Sequence, residues 1–205
     1  MIGYRVLDLA DEKGMLCSRL LADMGAEVIR IEKPGGDSAR SPFFWATNLG
    51  KQAITLNIEL KPGQEIFKRL VKTGDVIVES YQPGYLAALG LSYPELSQIN
   101  PQLVMASITN FGRSGPYRDY KSCDMVACAL GGQMYVCGEP QTPPLKPFGN
   151  QAYYSACLFA AIGVLLALWN RHTMGRGQHI DISLEECVVA TLDHVLARYF
   201  YEGVV

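Results

Sequence analysis

Apolar positions along this chain switch between two periods. Arg5–Leu9 (RVLDL) is a short apolar run, residues 15–24 (MLCSRLLADM) carry apolar side chains at helical spacing up to Gly25, and Glu27–Glu32 (EVIRIE) alternates as a strand does. A strand, a crossover helix and a second strand predict a parallel pair, because only a crossover can bring the chain back in the same direction. The pattern then repeats. PGGD (34–37) signals a turn, and a loop runs through Asn48 and Lys51. Residues 53–58 (AITLNI) read as a strand, 61–74 as a helix with Ile66, Leu70 and Val71 on one face, and 75–80 (DVIVES) as a strand. Two short helices with proline near their starts follow at 83–90 and 93–100, and LVMASIT (103–109) completes a further step. Alternation of this kind predicts an α/β fold: a Rossmann-like, open and mostly parallel sheet flanked by helices.

The second half is less regular. Residues 111–120 (FGRSGPYRDY) read as a surface loop, 124–135 as a helix up to its glycine pair, and 139–147 (EPQTPPLKP) as a rigid extended connection. Residues 175–184 turn through two glycines into the strand HIDISL, and a last helix is expected over 185–201. Between them lies AYYSACLFAAIGVLLALW (152–169), which has no charge and reaches the length at which a membrane span must be weighed. Ala152, Ala156 and Ala160 recur every four residues, and Gly163 and Ala167 continue a face of small side chains that lets a helix approach its neighbours closely. Strand and turn sequence of an α/β type flanks the run on both sides, so a central buried helix is expected and no membrane partner.

Composition narrows the chemistry. Hydrophobic residues make up 49% of the chain and charged residues 19%, enough apolar content for a real core. The formal net charge is −2 with scattered basic residues, so no nucleic-acid partner is expected. The six cysteines include no CxxC pair, and the three histidines do not combine with them at ligand spacing, which predicts neither a metal site nor a disulfide framework. Reduced thiols point to a cytoplasmic protein, and no signal peptide is read at the N-terminus.

Neither GxGxxG nor GxxxxGK[ST] occurs, so the expected topology does not imply NAD or a P-loop nucleotide. No GxSxG or HExxH motif occurs either; Cys157 reads as packing and His179 as a strand-edge residue rather than a base. The loops after the predicted strands, at 8–11, 32–37, 79–84 and 109–112, supply cations, hydroxyls, amides and aromatic faces. In an open parallel sheet those ends are where ligands bind, and their chemistry suits an extended polar ligand with a ring and phosphates, although loops of any α/β protein are polar.

Taken together in order, GYRVLDLADEKGMLCSRLLADMGAEVIRIEKPGGD, the ITLNIE strand, DVIVESYQPGYLAALGLSYPELSQINPQLVMASITNFGRSGPY, the GGQM run and TMGRGQHIDISL resemble the family III CoA-transferases, over almost the whole chain. That family includes formyl-CoA and carnitine CoA-transferases and α-methylacyl-CoA racemase. The resemblance implies a Rossmann-like large domain that binds coenzyme A or acyl-CoA as substrate, without a metal, in a homodimer of interlocked chains. The family's chain is about twice as long, so residues 1–205 resemble the N-terminal part of the large domain, lacking the small domain and the C-terminal return segment. Carried over by position, the implied CoA-binding residues are Glu12, Lys13, Gly14, Lys33, Leu56, Asn57, Glu59, Ser80, Tyr81, Gln82 and Lys121. Lys33 and Lys121 stand where the family has basic residues, whereas Ala88 stands where an arginine is common and DEKG (11–14) replaces a loop of small residues.

The resemblance also implies a covalent mechanism. An aspartate attacks the acyl-CoA thioester to give a mixed anhydride, CoA thiolate adds back to leave an enzyme thioester, and an acceptor carboxylate collects the CoA. Alignment on Ala160–Gly163 puts that aspartate at Tyr153, with Ala152 and Tyr154 beside it and the nearest carboxylates along the sequence at Glu139 and Asp181. A neutral phenol does not do this job. The expectation is therefore a CoA-transferase-like chain handling acyl-CoA and carboxylic acids, either as a fragment or as a subunit paired with an aspartate-bearing paralogue. An acyl-CoA racemase or isomerase, and a CoA-binding protein without catalysis, are the alternatives.

Overall fold

Six parallel strands in the order β3-β2-β1-β4-β5-β6 make a single sheet in the computed structural model, which describes residues 1–36 and 40–203. Asp37, the last residue of the PGGD turn signal, lies outside the described residues. In chain order the elements are β1 (Arg5–Leu9), α1 (Met15–Asp23), β2 (Glu27–Glu32), α2 (Pro42–Asn48), β3 (Gln52–Thr55), α3 (Lys61–Val71), β4 (Val76–Glu79), α4 (Tyr85–Ala88), α5 (Tyr93–Ile99), β5 (Val104–Thr109), α6 (Asp124–Leu130), α7 (Gln151–Met174), β6 (His179–Ser183), α8 (Leu184–Ala190) and α9 (Asp193–Glu202). The predicted fold class, an open and mostly parallel sheet flanked by helices, is the one observed. β1, β4 and β5 are buried on both faces, which is why they read as near-continuous apolar runs.

One face of the sheet packs under α1, α6, α7 and α8, with Val6, Val28, Val78, Ile108, Leu21 and Val164 at its centre. The other packs under α3, α4 and α5 through Leu7, Ile31, Ile77, Met105, Phe67 and Leu96. Full burial of each such side chain contributes about 1.5–3 kcal/mol. The alanine face of α7 is used as its spacing suggested: Ala152, Ala156, Ala160 and Ala167 are buried, and Gly163 faces Ile180. By length and composition α7 is apolar enough to cross a membrane, and 50% of that apolar window is buried inside the fold.

Three expectations need correction. The loop expected after the turn contains α2, which Ser41 caps by accepting a hydrogen bond from the Phe44 N–H at 3.2 Å, with Pro42 in its first turn. The strand expected over 53–58 leaves the ladder after Thr55, because Asn57 Oδ1 accepts the Glu59 N–H and turns the chain into α3. Gly63 sits against that turn so closely that a Cβ there would lie 1.8 Å from the Asn57 carbonyl oxygen. The last helix is two, α8 and α9, parted at Thr191, whose hydroxyl bonds back to the Val188 carbonyl at 2.7 Å.

Candidate active site

Strand order reverses between β1 and β4, and the crevice beyond their carboxyl ends is where open sheets of this kind bind ligands. The loop after β1 is set from beneath by buried charge. Asp8 Oδ1 accepts the Ala10 N–H at 3.0 Å, and Asp8 Oδ2 receives Lys51 Nζ at 2.8 Å. Lys51 also reaches the Met15 carbonyl (2.8 Å) and Asn48 Oδ1 (2.9 Å), and its side chain is 1% exposed. Burial lowers the Lys51 pKa and the Asp8 carboxylate opposes that.

Above this base the two sides of the crevice are tied together. Ser80 Oγ, just beyond β4, accepts the Asp11 N–H and donates to Asp11 Oδ1, both at 2.7 Å. Asp11 also pairs with Lys13. Gly14 closes the loop against the sheet, where a Cβ would come within 2.7 Å of the Ala10 Cβ. The thiol of Cys157 donates to the Lys13 carbonyl at 3.1 Å, so this buried cysteine fastens the loop to α7. Burial pushes its pKa up to about 12, which leaves it an inert thiol.

A second group forms beside the first. Lys33, after β2, pairs with Glu59 at 2.6 Å, and the Tyr85 hydroxyl donates to the same Glu59 oxygen at 2.7 Å. Glu59 raises the pKa of Lys33, and Lys33 holds the Glu59 carboxyl below its ordinary range. The Tyr85 ring stacks on Tyr81 with centroids 4.5 Å apart, and the Tyr81 N–H is held by Glu79 Oε2 at 2.8 Å. Leu56 is buried beneath the turn that presents Asn57 and Glu59. The structure thus gathers Lys13, Gly14 and Ser80 around Asp11, and Lys33, Glu59 and Tyr81 around Tyr85. Glu12, Gln82 and Lys121 are exposed, and among the described residues none of their side chains has a hydrogen bond or ion pair.

Tyr153 lies in the first turn of α7, where its hydroxyl accepts the Asp124 N–H at 3.2 Å. Burial, first of all, pushes its pKa up to about 12, with the Asp11 and Asp124 carboxylates adding to the shift. Asp124 was not singled out in the sequence. It starts α6 and crosses to α7, where its Oδ1 accepts the Ala152 N–H (2.9 Å) and the Tyr153 N–H (3.3 Å), capping a helix whose own N-cap residue, Asn150, does not. Its Oδ2 pairs with Lys146 at 2.8 Å. The carboxylates around Tyr153 are therefore Asp11 and Asp124, not the Glu139 and Asp181 nearest in sequence. Glu139 lines a separate cavity of about 640 Å³ beside α9, and Asp181 accepts the Arg113 N–H on the edge strand. An aspartate that far along the chain gives no periodic signal pointing to another helix's terminus.

Comparison with known proteins places this geometry. Residues 1–205 match the CoA-transferase family III profile. The chain is 35% identical over 214 residues to the Thauera aromatica succinyl-CoA:(R)-benzylsuccinate CoA-transferase subunit BbsE, covering 98% of this chain and 52% of that one. It is 37% identical over 212 residues to the Chloroflexus aurantiacus succinyl-CoA–L-malate CoA-transferase beta subunit, covering 97% and 52%. A CaiB/BaiF family protein of Brucella suis superimposes with a TM-score of 0.95 at 35% identity, over 99% of this chain and 58% of that one. The chain spans about half the length of the curated relatives it matches. With its topology, its tied crevice and the match along its whole length, the chain belongs to CoA-transferase family III.

Proposed function

We propose that this chain holds acyl-CoA at the crevice between β1 and β4 for a family III CoA-transferase acting on carboxylic acids, and that it lacks the nucleophile of the covalent step. A paralogue bearing the aspartate supplies that step in a hetero-oligomer; two of the three similar proteins described above carry "subunit" in their names. The Tyr81–Tyr85 pair offers an aromatic face for the adenine, Lys33 and Lys121 offer charge to the phosphates, and the loop 11–14 borders the path toward Tyr153. Lys33 is already paired with Glu59, so a phosphate must displace a carboxylate to reach it, which predicts weak binding of CoA.

The observation that carries this reading is the phenol in the first turn of α7. With a pKa pushed up to about 12 it is neutral at pH 7 and does not add to a thioester. The neighbouring carboxylates are committed, Asp11 to Ser80 and Lys13, Asp124 to the end of α7 and Lys146. Incubation with acetyl-CoA and hydroxylamine is the test, on the chain alone and with an aspartate-bearing paralogue. Hydroxamate is expected only on the paralogue, with CoA bound by both. Covalent trapping on this chain, or transferase turnover by it alone, overturns the reading. A racemase needs an aspartate paired with a histidine around the α-carbon, and the phenol of Tyr153 at the aspartate position counts against that reading as well.

A further inference from the structure

The hydroxyl of Tyr153 is spent on one side only. Its oxygen accepts the Asp124 N–H at 3.2 Å, and among the described residues its proton has no acceptor. A phenolic proton stays near the plane of the ring, so once the ring is fixed its direction is confined to two choices. The ring is fixed: it is partly buried against the core under α7, and the Asp124 N–H occupies one side of the oxygen. A donor is therefore presented in the first turn of α7, on the helix that Cys157 joins to the crevice loop.

The surroundings select the acceptor. Asp11 and Asp124 bring two carboxylates near the hydroxyl, and the cation on the α7 side, Lys146, is saturated by Asp124 and by the Pro147 and Gly149 carbonyls. Such a site disfavours a further anion and favours a neutral oxygen. We propose that Tyr153 donates a hydrogen bond to the carbonyl oxygen of the bound acyl thioester, so that this chain distinguishes acyl-CoA from CoA and from CoA products without a carbonyl. The residue at the nucleophile position then serves as a specificity determinant: it recognises the thioester without attacking it. This rests on the acyl-CoA reading above.

The test compares acetyl-CoA with S-ethyl-CoA, a thioether of nearly the same size in which CH₂ replaces the carbonyl, on the full chain and its Tyr153→Phe variant. Calorimetry should show wild type binding acetyl-CoA about fivefold more tightly than S-ethyl-CoA, the worth of one hydrogen bond, and the variant binding the two equally. The infrared carbonyl stretch of bound [1-¹³C]acetyl-CoA should shift to lower frequency in wild type and return toward its free position in the variant. That signature does not follow from a packing role for the ring. Equal binding of thioester and thioether by wild type, or discrimination that survives in Tyr153→Phe, overturns the proposal while leaving CoA binding intact. Failure of wild type to bind any of the three ligands, CoA included, removes the acyl-CoA reading and this proposal with it.

Discussion

His179 shows how one side chain ties stability to pH. It opens the edge strand β6, where its Nε2 meets Ser107 Oγ at 2.8 Å and its ring stacks on Tyr93 with centroids 5.1 Å apart. Burial, then the nearby Arg113 guanidinium, lowers its pKa from 6.5 to about 4, while Asp181 opposes them. The folded chain thus binds this proton less readily than the unfolded chain. Between pH 6.5 and 4 the unfolded state holds more protons, so this residue's contribution to stability is full above pH 6.5 and falls with pH toward 4. In His179→Gln the hydrogen-bonding amide remains and the titration goes. Urea unfolding at pH 7 and pH 4.5 should show the variant gaining on wild type as the pH falls; an unchanged difference between the two proteins would refute the assignment. The sequence marked His179 as a strand-edge residue but not the groups around it, because its partners lie on β5 and α5, more than seventy positions earlier.

Among the elements, α7 is the one whose termination is least local. Its interior was readable from the four-residue alanine repeat, since close packing demands small side chains wherever it occurs. The cap at its start was not, because it comes from α6 rather than from the preceding residue. Asp124→Ala removes the acceptor for two helix N–H groups and leaves Lys146 without its carboxylate, and should cost about 2–4 kcal/mol in denaturant unfolding. Asp124→Asn keeps an acceptor oxygen and should cost less than half as much. Equal losses in the two would mean that the charge on Lys146 matters and the cap does not. The short helix α2 escaped sequence reading for a related reason. Its seven residues complete barely two turns, too few to establish a period, and its only local signals are Ser41 and Pro42.

For the whole molecule, the crevice joins two halves of the sheet, β3-β2-β1 and β4-β5-β6, and Ser80 is the tie across it. Ser80→Ala leaves the Asp11 N–H and carboxylate without that partner, so stability should fall by about 1–2 kcal/mol. CoA binding should weaken as well, because the 11–14 loop loses its anchor on β4; unchanged CoA affinity at reduced stability would show that the loop does not shape the ligand site. The fold class, the parallel pairing of its strands and the succession of motifs that marks family III were all legible along the chain. They depend on periodicity and on local turn chemistry, which act over a few residues at a time. So was the presence of a phenol where the resemblance implies a carboxylate. What only the tertiary structure decided is which groups meet: Ser80 with Asp11, Lys33 with Glu59 and Tyr85, and Asp124 with the first turn of α7. Each pair joins segments separated by 26 or more positions. Hydrogen bonds and ion pairs of that range leave no periodic trace in a sequence, because they depend on how the sheet and its helices pack and not on the spacing of neighbours.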